Sequence, residues 1–120
     1  MTDYAALVER YIATWNETDA ETRAKAVAGL WTEDGSYTDP LADVRGHDAI
    51  GAVIGAVHER FPGFVFTPGS LLDGHGRLVR FTWGLGPAGG EPLAEGFDVA
   101  ELAEDGRIAR VLGFLDKVPG

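Results

Sequence analysis

The chain has no cysteine among its 120 residues, which excludes disulfides, thiolate metal sites and a cysteine nucleophile. Lysine is nearly as scarce. Lys25 and Lys117 are the only two, and neither falls at an inward position, so Schiff-base chemistry lacks a candidate. Basic residues number 10 against 19 acidic ones, for a net charge of −9. A chain this acidic, without a basic run, repels phosphate backbones, and nucleic acid is not an expected partner. Long apolar runs are missing as well. The first twenty residues carry acids in a helical pattern without an uninterrupted apolar stretch. Neither a signal peptide nor a membrane span is expected, and a cytoplasmic location fits. No metal-ligand spacing occurs: no second histidine follows HERF within a turn, and the glycine-rich GPAGGEP matches no phosphate-loop pattern.

What is present is a globular composition, 45% hydrophobic and 24% charged, with length enough for one domain over residues 1–120. Tyr4, Leu7, Val8, Tyr11, Ile12 and Trp15 follow the rhythm of one apolar helical stripe, capped by Thr2 or Asp3 and ended by NETD. Asp19 caps a second helix in which Val27, Leu30 and Trp31 face one way. TEDGSY breaks that helix and leads into a short strand ending at Asp39. A third helix begins near His47, with Ile50, Val53, Ile54, Val57 and Phe61 as its stripe, and FPG stops it.

From Phe64 the pattern changes to strands. FVFTPGSLLD turns at DGHG into RLVRFTWGLG; after GPAGGEP, LAEGFDVAELA turns at EDGR into IARVLGFLD. Helices first and antiparallel strands after predict an α+β fold, a cone-shaped, curved, mostly antiparallel sheet packed against three N-terminal helices. Gly84, Gly96 and Gly113 lie inside strands, where they are expected to mark bends or bulges. Such a cone makes a small-molecule cavity.

Three polar residues stand out. Asp39 precedes Pro40, which pushes it into extended geometry on the same strand face as Tyr37; it is a solvated strand end, a turn-starter or a base aimed into the cavity. Alternation puts Asp98 on one face with Ala94, Gly96, Ala100 and Leu102, and Phe97 and Val99 on the other. A buried acid there is paired with a neighbour such as Arg110, neutral, or facing a wet pocket. Tyr11 shares the first helix's stripe, and a buried tyrosine hydroxyl seeks a polar partner, for which an inward carboxylate serves. The expected cavity lining is Trp15, Tyr37, Ile54, His58, Trp83 and Phe114. His58 sits beside a core stripe as a satisfied side chain, while His47 and His75 are expected in solvent.

The order of elements, with RYIATWN, LWTEDGSYTDP, RGHDAI and GFDVAELAEDGRIARVLGFLD, resembles the nuclear transport factor 2-like superfamily, and more narrowly SnoaL-like and ketosteroid-isomerase-related proteins, from about Tyr4 to Asp116. The resemblance implies a SnoaL-like, cystatin-like α+β barrel. It also implies a cofactor-independent enzyme acting on a small hydrophobic ligand, steroid- or polyketide-like, and a homodimer formed through the outer face of the sheet. Tyr11, Asp39 and Asp98 match the family's oxyanion-hole tyrosine, its catalytic base and its second oxyanion donor. In that chemistry one carboxylate moves a proton beside a carbonyl while a tyrosine and a protonated acid hold the enolate oxygen. The same fold also hosts cyclases, dehydratases, epoxide hydrolases and non-catalytic binding or dimerisation modules. A hydrolase would show two of Arg80, Arg110 and His58 bonded to an inward acid. A binding module would show Asp39 exposed or tied to backbone amides, and a cavity collapsed around Trp15 and Trp83.

Overall fold

In the computed structural model, which describes residues 3–118, two aspartates start the first two helices. Asp3 accepts from the Ala6 amide at 3.0 Å and opens α1, Tyr4–Asn16; Asp19 accepts from the Thr22 amide at 2.9 Å and opens α2, Ala20–Leu30. Each carboxylate satisfies a backbone donor that the first helical turn leaves free. The apolar stripe of α1 is buried from Leu7 to Trp15.

Trp31 corrects the sequence reading. It is not the end of the helical stripe but the first residue of β1, Trp31–Thr38, with an extended backbone (φ −95, ψ 152). A residue one position past Leu30 is buried by either conformation, so the apolar pattern does not decide it. Pairing with Ile108 does. The connector LADVRG also holds a short strand, β2, Asp43–Arg45, antiparallel to β1 with Tyr37 opposite Val44. The third helix, α3, spans His47–Arg60 as expected. His47 is not in solvent: its Nε2–H is shared between the Trp31 and Thr32 carbonyls at 3.1 and 2.9 Å, tying α3 to the start of β1.

The remaining strands are β3, Phe64–His75, β4, Leu78–Pro87, β5, Ala94–Leu102, and β6, Ile108–Lys117. The sheet runs β2-β1-β6-β5-β4-β3. Four of its five pairings are antiparallel, and β1 with β6 is parallel. It is curved and unclosed, with β2 and β3 as free edges, and it belongs to the α+β class. Alternation along β5 holds: Ala94, Gly96, Asp98, Ala100 and Leu102 are buried on the helix side, while Phe97 and Val99 are half-buried on the other. Ile50 and Ile54 of α3 close the core over Trp31, Phe81 and Val111, all fully buried. No helix among the described residues is long and apolar enough to cross a membrane.

Candidate functional site

Between the concave face of the sheet, α1 and α3 lies a cavity of about 550 Å³. Its walls are mainly apolar. Its polar chemistry comes from α1, from the end of β1 and from β5.

Asp98 occupies the floor and is 2% exposed. The Tyr11 hydroxyl, one helix away, donates to Asp98 Oδ2 at 2.9 Å. Asp98 Oδ1 is buried without a hydrogen-bond partner among the described residues. Burial pushes the Asp98 carboxyl from 3.8 up to about 6, against the pull of the Tyr11 hydroxyl and the Trp83 side chain, and the nearby Asp39 charge adds to the rise. Tyr11 is pushed well above its ordinary value, first by burial and then by the Asp98 charge, so it remains a hydroxyl. Tyr37 is raised for the same two reasons, with its bond to Asp39 adding to them.

Asp39 is both a turn-starter and a cavity residue. Its Oδ1 accepts the amides of Leu41 and Ala42, each at 2.8 Å, and Oδ2 accepts the Tyr37 hydroxyl at 2.6 Å. Its own amide donates to the Ala42 carbonyl at 2.8 Å, closing the turn around Pro40. It is half-buried and lines the cavity.

One glycine brings the two acids together. Gly113 of β6 pairs with Asp98, between β5 and the end of β1. A Cβ at Gly113 would stand 2.8 Å from Asp98 Oδ1 and 3.3 Å from the Asp39 Cβ. The carboxylates thus flank a position that must carry no side chain. No register irregularity falls at Gly113, so its role is a close approach and not the expected bend. At Gly96 an added Cβ would fall within the Trp83 indole, which occupies that position.

Of the expected lining, Trp15, Tyr37 and Trp83 face the cavity. The other three are placed elsewhere. Ile54 is wholly buried in the core. His58 donates from Nε2 to the Trp15 carbonyl at 2.7 Å, as a satisfied side chain would. Phe114 is 56% exposed on the opposite face of the sheet, tilted against Phe97 at 6.1 Å; because Gly113 faces inward, its neighbour has to face out. Arg110 is not the partner of Asp98, since it pairs with Glu101 at 2.6 Å, and Arg80 lies 3.9 Å from Asp73. The sequence reading missed Phe66, Leu85, Leu115 and Arg60 as lining residues. Leu115 follows by alternation once the pairing of Gly113 with Asp98 sets the phase of β6. Among the described residues no group of three or more side chains is suited to hold a metal ion.

The family model for the SnoaL-like domain matches residues 8–111. The chain belongs to the SnoaL-like family. Among solved structures, a SnoaL-like protein described as a "putative isomerase" from Agrobacterium tumefaciens strain C58 is 41% identical to it. The match covers 97% of this chain and 99% of that one, with a TM-score of 0.90. A SnoaL-like protein of unknown function from Burkholderia thailandensis E264 is 15% identical over 96% and 98% of the two chains, TM-score 0.68. A "putative polyketide cyclase" from Sinorhizobium meliloti is 18% identical over 90% and 93%, TM-score 0.70. These two share the fold of the present SnoaL-like chain. No curated protein matches it.

Proposed function

We propose that this SnoaL-like chain is an isomerase that moves a proton beside the carbonyl of a small apolar compound, without a cofactor. The observation that carries the reading is the buried Tyr11–Asp98 pair at the floor of an apolar cavity, with a second, oriented carboxylate across Gly113. Asp39 acts as the base. A carboxylate offers about four lone-pair sites; the Leu41 and Ala42 amides use those of Oδ1 and Tyr37 uses one on Oδ2. One lone pair on Oδ2 remains for a substrate proton, and its direction is fixed by the other bonds.

Tyr11 and Asp98 hold the oxygen on which charge develops. While Asp98 is ionised, the Tyr11 proton is committed to it. Asp98 takes up a proton from solvent as the ligand binds, because a negative oxygen beside it favours the protonated carboxyl by the same like-charge effect that Asp39 already exerts. Once protonated, Asp98 donates, and the Tyr11 hydroxyl is released toward the same oxygen. Donors preorganised away from water are worth far more than in solution.

Turnover of β,γ-unsaturated ketones tests this directly. Asp39→Asn is expected to lower kcat by about 10²–10⁴-fold and Tyr11→Phe by about 10²–10³-fold. Undiminished turnover in Asp39→Asn would remove the assignment. The hydrolase reading finds no support, because none of Arg80, Arg110 and His58 bonds to Asp39 or Asp98. A non-catalytic ligand-binding module is the second reading. The two amide bonds on Asp39 favour it, whereas the open cavity between Trp15 and Trp83 is not the collapse it predicts. Tight binding of flat phenols without turnover of any such ketone would select it.

A further inference from the structure

Asp39, Asp98 and Arg60 are the charged side chains on the cavity wall. The two acids serve the floor of the cavity and the turn at the end of β1. Arg60 is the last residue of α3, at the cavity mouth, and its guanidinium carbon lies 5.6 Å from the centre of the Phe61 ring, which also lines the opening. Stacking engages the flat face of a guanidinium and leaves its N–H donors free in the plane. Among the other described cations, Arg80, Arg107, Arg110 and Lys117 pair with carboxylates, Arg10, Arg23 and Arg45 donate to backbone carbonyls, and Lys25 and Arg77 do neither but are not on the cavity wall. Arg60 forms no ion pair with any described residue.

The surroundings of Arg60 are apolar and uncovered. Leu41 is 81% exposed and Val118 61%, both on the cavity rim. Leu41 is held there by its amide bond to Asp39. A rim of this kind suits a ligand whose apolar body extends out of the cavity. In a chain of net charge −9, an anionic group is repelled from most of the surface, so a cation on the cavity wall sorts ligands by charge.

We propose that the ligand is an elongated, flat, apolar carbonyl compound that ends in a carboxylate, and that Arg60 binds this carboxylate at the cavity mouth. A planar fork of N–H donors matches a carboxylate in two-point contact. The orientation, oxygen at the floor and carboxylate at the mouth, rests on the proposed role of Tyr11 and Asp98. The ion pair at Arg60 does not.

Calorimetric titration with two matched pairs of probes tests the proposal: 2-naphthol against 6-hydroxy-2-naphthoate, and 4-hydroxybiphenyl against 4′-hydroxybiphenyl-4-carboxylate. In at least one pair the carboxylate is expected to bind about two- to fivefold tighter than its parent, the scale of an exposed ion pair. That ratio should fall to about one in Arg60→Gln and recover in part in Arg60→Lys. Parents that bind as well as their carboxylates at both lengths would overturn the proposal. So would a ratio that survives Arg60→Gln, or no binding by any of the four. Tyr11→Phe separates the two readings. Equal weakening of both members of a pair supports the oxygen site at the floor. If Tyr11→Phe weakens neither while the ratio still depends on Arg60, the floor assignment fails and the carboxylate contact stands.

Discussion

Asp98 holds its proton more tightly in the fold than an exposed aspartate does. Its carboxyl titrates at about 6, against an ordinary 3.8. A raised carboxyl favours the folded state fully below the lower value, and this contribution disappears as the pH rises through the upper one. The difference corresponds to about 3 kcal/mol. Asparagine keeps the shape, and its carbonyl still accepts from Tyr11, but it carries no charge to bury. Asp98→Asn is therefore expected to be more stable than the parent at pH 8, by up to about 3 kcal/mol, with the gap closing toward pH 4. Urea unfolding across that range measures it. A gap independent of pH would show that ionisation of Asp98 costs the fold nothing.

At the scale of the elements, the site depends on cross-strand fit. Trp83 and Gly96 face each other across β4 and β5, and the indole fills the space where a side chain at 96 would stand. Gly96→Ala should push the indole off the sheet, costing about 1–3 kcal/mol as overpacking does, and should shift the fluorescence maximum of Trp83. An unchanged urea midpoint and emission spectrum would contradict this packing.

The elements readable from sequence were those whose signals are local. Asp3 and Asp19 announce their helices one residue ahead, and Asp105-Gly106 announces the last hairpin, whereas Asp73-Gly74 lies inside β3 and that hairpin turns at Gly76-Arg77. Trp31 and β2 were not readable, because their conformation is decided by Ile108 and by β1, partners distant in sequence or too short to leave a period. The same division runs through the site. Strand alternation gives the inward face of Asp98 and the outward face of Phe97. The phase of β6 depends on its pairing with Asp98, so Phe114 and Leu115 exchange places when that register is unknown. Arg60 leaves no pattern at all, since an exposed cation at a helix end is common to many surfaces.

At the scale of the whole molecule, the outer face of the sheet carries an uncovered apolar patch. Phe97 and Val99 of β5 stand opposite Phe114 and Leu112 of β6, and the latter two are 56% and 37% exposed. We propose that a second copy of the chain covers this face, burying both pairs. Sedimentation should then report a dimer for the parent and a monomer for Phe114→Glu, because an uncompensated charge at a buried interface opposes association. A monomeric parent would remove the proposal. Since Phe114 points away from the cavity, ligand affinity offers a control for folding of the variant.

The parallel pairing of β1 with β6 has a consequence for how the molecule comes into being. β1 and its short partner β2 join the other four strands only through β6, about seventy residues further along the chain. On a ribosome, the turn that carries Asp39 is made early, yet its sheet neighbour is the last strand to emerge. Asp98 likewise waits for Gly113, the strand position that its carboxylate overlies. Pairings this remote are closed late and slowly. The two acids can share one cavity wall only once β6 has paired with both β1 and β5.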